Sequence, residues 1–446
     1  MNHSSNYIIR VKYALKNNSD LIKDAEIEIV EGLISYIGKV RNETKESFIY
    51  LQYSHGLAVP AFVNGHTHLP ETLIRGICDD EDLHTWLYDH VWKIEPVMKA
   101  QQAKIGALLG IAEMVRSGTV AFVDQYFYSN EIAEAVIETG VKAFLAPSIF
   151  DGNPETKTIE KSFDQNKKVF DKWNGQDNRI FVGFGPHAPY SLSEEWFQKI
   201  IDETKARGTK IHTHLNETVK EVNEAKQTFK CTPIELMDKL GGLNHIVAAH
   251  CIHTTEQDRI LLKQNETTVL SNPQSNMKIG AGIAPIPDYL QRGINIVIGT
   301  DGSASNNNLD MLEEARLLSL VHKGLQTNPK LLPVSSIVPL FTSNGSKIFP
   351  KGSYTGILSE NNPADILVVD LNSSNTVPVI NPISNWFFAS NSSDIVLTMA
   401  NGKILFEKKG QEELYPTLNL DKIKIEAQQT TEDMMAKSDY KPRQAW

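Results

Sequence analysis

The stretch Ile294-Asn-Ile-Val-Ile-Gly-Thr-Asp-Gly302 is a short β-branched run that breaks into a carboxylate and a glycine. Apolar runs of roughly four to eight residues bounded by turn residues read as strands buried on both faces. Such strands belong to parallel sheets covered by helices. Working outward, similar runs recur at 57–63, 119–123, 143–149, 180–184, 210–214, 246–249 and 267–270. Helical periodicity fills most of the gaps, at 101–116, 129–138, 160–173, 194–206, 233–240, 255–264 and 286–292. Parallel strands alternating with helices in this number predict an α/β fold, a (β/α)8 TIM-type barrel over residues 58–350. An open doubly wound sheet is the competing arrangement.

Both ends of the chain carry a different pattern. Residues 24–30 alternate Asp-Ala-Glu-Ile-Glu-Ile-Val, Glu31-Gly32 turns, and 33–37 alternate again, which predicts a hairpin. A β-branched run returns at 364–369, and 395–399 and 403–406 flank the turn Ala400-Asn401-Gly402. Residues 1–57 and 351–410 are therefore expected to build one composite β-sandwich module. The polar stretch 411–446 is expected to be a helical tail lying outside the core.

Composition narrows the function classes. The chain has 446 residues, 41% hydrophobic and 22% charged, with a net charge of -10. That acidic balance offers no general attraction to nucleic acid or anionic lipid. No apolar stretch approaches the roughly 18 residues of a membrane helix. Residues 1–7 lack a charged-then-apolar signal pattern. Cys78, Cys231 and Cys251 are too few and too scattered for a disulfide framework. The expected location is cytoplasmic.

The chemistry-bearing residues gather at the predicted strand ends. The first run leads into Asn64-Gly-His-Thr-His68, the fifth ends His212-Thr-His-Leu-Asn-Glu217, the sixth ends Ala249-His-Cys-Ile-His253, and the eighth ends at Asp301. In a parallel barrel, catalytic groups come from the C-terminal ends of different strands. His66 and His68, two apart, share one face. A lone His-x-His pair is weak evidence, but further imidazoles and a carboxylate arriving from separate strands complete an N/O ligand set suited to zinc or iron.

Other residues receive plainer readings. His212 is expected to face away from His214 as a packed, hydrogen-bonded core residue. His253 reads as a supporting or helix-start residue, and Asp124 as a loop support. His84, His90, His245 and His322 lack strand-end context and read as surface or packing residues. His214-x-x-Glu217 is not a zinc-protease helix motif. Gly280-Ala-Gly282 lacks the third glycine of a dinucleotide fingerprint, and no phosphate loop or nucleophile elbow is present.

With those residues in view, the sequence resembles the amidohydrolase superfamily along nearly its whole length. More narrowly it resembles the 5′-methylthioadenosine/S-adenosylhomocysteine deaminase group. The strings that carry the likeness are Gly65-His-Thr-His-Leu-Pro-Glu-Thr-Leu-Ile-Arg-Gly76, Gly185-Pro-His-Ala-Pro-Tyr190, His214-Leu-Asn-Glu217, Ala249-His-Cys-Ile-His253, Ser271-Asn-Pro-Gln-Ser-Asn-Met-Lys278 and Gly299-Thr-Asp-Gly-Ser-Ala-Ser-Asn-Asn-Asn-Leu-Asp310.

The resemblance implies one divalent metal, zinc or alternatively ferrous iron, held by His66, His68, His214 and Asp301. His250 would contact the attacking water. The fourth strand carries no lysine at its end, whereas two-metal relatives need one there. Carried over by position, Trp86 and Glu95 would line the sugar side, His187 would meet the purine edge, and Ser305 would sit near the ring. Glu217, one helical turn beyond His214, would protonate ring nitrogen N1, and Asp301 would take the water's proton.

The implied activity is hydrolytic deamination of a small adenosine-type nucleoside, with a homo-oligomer left open. Residues 143–168 contain lysines (Lys157, Lys161, Lys167, Lys168) but no arginine where relatives bind a homocysteine carboxylate. A neutral 5′ group is expected, because lysine does not replace the arginine fork. Deamination or dechlorination of another heterocycle, such as guanine or an s-triazine, is the rival enzyme reading. A metal-free scaffold on the same fold is the non-enzyme reading.

Overall fold

The computed structural model describes residues 5–441. Strands β1 (Tyr7–Lys16), β2 (Asp20–Val30), β3 (Leu33–Lys39) and β4 (Ile49–Pro60) come first. They share one sheet with β15 (Ile366–Asp370), β16 (Ile395–Ala400), β17 (Lys403–Lys409) and β18 (Glu412–Leu414), in the order β18-β17-β16-β15-β4-β1-β2-β3. The two chain ends meet where β4 runs antiparallel to β15, Leu57 opposite Val369. Alternation decides the inward face: Ala25, Ile27 and Ile29 of β2 pack with Ile366, Val368, Leu397 and Met399 in a core separate from the barrel's.

The barrel is built from two parallel arcs. One is β5 (Phe62–Thr67), β6 (Thr119–Asp124), β7 (Lys142–Leu145) and β9 (Ile180–Val182). The other is β11 (Ile211–Leu215), β12 (Ile246–His250), β13 (Thr268–Ser271) and β14 (Asn295–Ile298). A parallel bridge between Phe184 and Ile211 joins the arcs on one side. On the other side the Asp301 N–H donates to the His66 carbonyl at 2.9 Å. Gly65 lets that seam close, since a Cβ there would lie 2.9 Å from the Ile298 carbonyl oxygen.

Two strand boundaries and two helices depart from the sequence expectation. The run 57–63 is not one strand: 57–60 end β4 of the sandwich, and the first barrel strand starts at Phe62. The run 143–149 is split into β7 and the short β8 (Ser148–Ile149), which pairs with β10 (Gly185–Pro186). Pro147 lies between them and has no N–H to give a ladder. Helices at Val219–Phe229 and Met311–Leu325 were not anticipated.

The C-terminal stretch is also more than an external tail. Its residues 412–414 form the edge strand β18, and its helix Leu420–Lys437 buries Ile423, Ala427 and Met434 in the main core. A polar sequence hid this because only a few positions of that helix are apolar and inward. Lys142 and Asp365, both buried, tie barrel to sandwich through a 2.5 Å ion pair. Among the described residues no helix is long and apolar enough to cross a membrane. The three cysteines are buried and none forms a disulfide.

Candidate metal and active site

The strand ends turn their last residues with a repeated backbone device. Asn216, His250 and Asp301, just at or past the ends of β11, β12 and β14, have φ of 53°, 70° and 67°. A left-handed non-glycine residue costs on the order of 1–3 kcal/mol and persists only where its surroundings over-determine it. The neighbours do so here: the Cys251 N–H donates to the Leu215 carbonyl at 3.0 Å, and Asp301 is pinned to His66 as described.

Hydrogen bonds fix the tautomer of each imidazole. His68 Nδ1 lies 2.6 Å from the Gln125 carbonyl and His214 Nδ1 lies 2.7 Å from the His187 carbonyl. A carbonyl only accepts, so both rings carry hydrogen on Nδ1 and present a lone pair at Nε2. The same logic runs through His212. Its Nδ1 faces the Val247 carbonyl at 3.1 Å, so its Nε2 accepts from His66 Nδ1 at 2.8 Å. His66 Nε2 is thereby left bare, and it is buried without a hydrogen-bond partner among the described residues.

These lone pairs converge. His214 Nε2 is 3.4 Å from His68 Nε2, and Asp301 Oδ1 is 3.3 Å from His66 Nε2 and 3.4 Å from His68 Nε2. Two sets of donor atoms lie within 4.8 Å of one another: His66, His68 and His214, and His66, His250 and Asp301. Neutral imidazole nitrogens around one carboxylate oxygen suit a single divalent cation of the zinc or iron type. Burial lowers His66 to about 4 and His214 well below the ordinary imidazole value. For Asp301 burial works the other way, but His66, His250 and His68 hold it well below the carboxylate range.

The remaining expected residues face the same space. His68, Trp86, Glu95, His187, His214, Glu217, His250, Asp301 and Ser305 line one cavity of about 620 Å³, its open mouth included. His250 Nε2 stands 3.6 Å from Glu217 Oε1 and 4.0 Å from Asp301 Oδ2, its Nδ1 bound to Asn276 Oδ1 at 2.8 Å. Burial, reinforced by the Asp301 charge, raises Glu217 well above the carboxylate range. Glu217 lies in the loop before the helix Val219–Phe229, not one helical turn past His214 as expected. The Trp86 indole Nε1 is buried without a partner among the described residues. Glu95 accepts from the Tyr126 hydroxyl at 2.6 Å, and burial raises it to about 8.

Asp124 supports a loop as expected, accepting from the Thr67 hydroxyl at 2.9 Å and the Leu69 N–H at 2.7 Å. His212 does not face away from His214. Residues two apart on a strand share a face, so His212 lies under His66 inside the barrel. Sequence reasoning also passed over Ser275, whose Oγ lies 2.8 Å from Asp301 Oδ2 and 2.9 Å from Ser305 Oγ. Gln125 and Tyr126 were missed although they follow the end of β6, the position that flagged the others.

The pattern of the family described as Amidohydrolase family matches residues 57–405. The chain belongs to the amidohydrolase family. A 5-methylthioadenosine/S-adenosylhomocysteine deaminase of Dictyoglomus thermophilum is 39% identical to this amidohydrolase over 387 residues, 86% of this chain and 88% of that protein. A 5′-deoxyadenosine deaminase of Methanosarcina acetivorans is 35% identical over 437 residues, 97% of this chain and 99% of its own. Among solved structures, a zinc-bound adenosine deaminase from Xanthomonas campestris superposes with a TM-score of 0.91 at 26% identity, covering 96% of this chain and 98% of that one.

Proposed function

We propose that this amidohydrolase removes the 6-amino group of an adenosine-type nucleoside by hydrolysis, releasing ammonia and an inosine-type product. The observation that carries the proposal is the facing pair Glu217 and Asp301. One carboxyl is pushed up by burial and the other is held down, and both lie within 4.0 Å of His250 Nε2. Two carboxyl groups driven apart in this way make an acid and a base in one cavity. The names of the three proteins compared above, each a deaminase of an adenosine-type compound, support the same reading.

A divalent cation held by His66, His68, His214 and Asp301 would supply Lewis-acid activation of water, with zinc as our choice over iron. The chain's own groups do the proton work. Asp301 accepts the proton of the attacking water. His250 aims that water at purine C6. Glu217 donates to N1, which makes C6 electrophilic, as the non-ligand glutamate does in zinc deaminases. Trp86 and Glu95 bind the sugar, Glu95 taking its hydroxyls, while His187 and Ser305 meet the purine ring.

We further read the 5′ group as neutral. No lysine or arginine is among the described residues lining the cavity, and Lys157, Lys161, Lys167 and Lys168 lie off it. A homocysteine carboxylate would enter beside Glu95 and Glu217 with no cation to meet it. Ammonia release from methylthioadenosine, 5′-deoxyadenosine, adenosine, S-adenosylhomocysteine and guanine by metal-loaded protein tests the proposal. Turnover of guanine alone, or of none of them, would overturn it.

A further inference from the structure

The cavity has a roof made by one segment. Leu83, Trp86, Leu87, Val91, Trp92 and Glu95 all line it, and all lie between Cys78 and Met98. This segment is not one regular helix. It strings together short pieces, Leu83–Thr85, a wide π-type turn at Trp86–Val91, Trp92–Ile94 and a 3-10 turn at Glu95–Val97. Such turns have weak internal hydrogen bonding, so contacts from outside must fix their position.

The far end of the roof is held by the barrel. The Tyr126 hydroxyl binds Glu95, and the Tyr128 hydroxyl donates to the Met98 carbonyl at 2.9 Å. Near the start, Lys278 pairs with Asp79 at 2.6 Å. The His84 ring meets Tyr190 edge-on, centroids 6.1 Å apart, and a further grip at the near end comes from the C-terminal segment. The Tyr440 hydroxyl donates to the Ile77 carbonyl at 2.7 Å, and His90 Nδ1 lies 3.2 Å from the same hydroxyl oxygen. Gly76, with φ of 72° and open space around it, is the residue immediately before this grip.

Tyr440 is itself well seated. Its ring is buried, and the helix Leu420–Lys437 just before it packs on the helix Ala100–Arg116. From that helix the Thr431 hydroxyl donates to the Leu73 carbonyl at 2.6 Å, and Asp433 accepts from Gln102 at 3.1 Å.

We propose that Tyr440 is a positioning residue for substrate: its hydroxyl joins Ile77 to His90 and so sets how the 78–98 segment closes over the cavity. Tyr440 thus tunes binding although it does not line the cavity. Trp86 and Glu95 ride on the segment it fixes. Only the identity of the substrate rests on the deaminase reading; the grip itself does not.

The test is Tyr440→Phe, which removes the hydroxyl and keeps the ring, with Thr431→Val as a second variant that loosens the supporting helix. Metal-loaded Tyr440→Phe is expected to raise KM about tenfold, the loss typical of one hydrogen bond, with kcat within about twofold. Bound metal and Tm should match the parent protein. Tryptic cleavage at Lys93, which lies in the roof, should be faster in both variants and slowed by a non-hydrolysable nucleoside. Unchanged KM and cleavage would overturn the proposal. A joint fall of kcat, Tm and metal content would also overturn it, since that marks general structural support. Faster cleavage in a protein that turns over no nucleoside would uphold the grip and reject the deaminase reading.

Discussion

His212 Nε2 sits 2.8 Å from His66 Nδ1, and this one contact decides which nitrogen of His66 faces the metal site. A buried imidazole with two possible tautomers is settled here by a second imidazole, itself settled by the Val247 carbonyl. The deepest ligand is oriented by a residue that never reaches the cavity.

His212→Leu removes that acceptor and leaves the His66 N–H unpaired in a dry interior. Outer partners of metal ligands are typically worth about 10–100-fold in affinity. Zinc affinity measured by chelator competition should fall by that amount while the fold persists. Unaltered affinity would mean His66 is oriented by its own strand.

Glu217→Gln keeps the shape and loses the proton. Metal content should stay stoichiometric, while kcat for ammonia release drops by about 10²–10⁴-fold, the usual share of a general acid. Near-full activity would put the proton carrier elsewhere.

Glu95 makes stability depend on pH in a definite direction. Its folded value, about 8, is above the ordinary carboxylate value near 4.3, so the folded protein holds a proton that the unfolded chain has released. The stabilisation from that proton is fully present below the unfolded value and is lost as pH rises through about 8. Melting curves of the metal-loaded protein between those limits should fall with pH more steeply than those of Glu95→Gln. Parallel curves would contradict this.

Methylthioadenosine, 5′-deoxyadenosine and adenosine should each exceed S-adenosylhomocysteine in kcat/KM by about tenfold or more, the scale of one missing charge-assisted hydrogen bond. Equal values would require a cation to reach the cavity on binding.

A parallel barrel brings strand ends to one rim, so the strings that hold His66, His68, His214, His250 and Asp301 are legible by position, while the family resemblance selects the ligands among them. The fold followed from the same alternation of apolar runs and helices. What stayed hidden depends on direction and on distance along the chain. His212 was misread by applying strand alternation one residue out of step. The helix Val219–Phe229 buries only Glu221, Val222 and Ala225, too few to leave an apolar stripe. Tyr440 touches Ile77 and His90 across more than three hundred positions, and no local pattern records that.

The ladder between β4 and β15 sets a constraint on synthesis. Leu57 cannot meet Val369 until almost the whole barrel has left the ribosome. Until then the nascent N-terminal hairpins carry an open, apolar edge, the kind of surface that aggregates or recruits chaperones. Closure of this sandwich is therefore expected to be late and slow relative to a chain with local contacts. Pulse-labelled hydrogen exchange should find β1 to β4 protected only together with β15; earlier protection would show that the first half folds unaided.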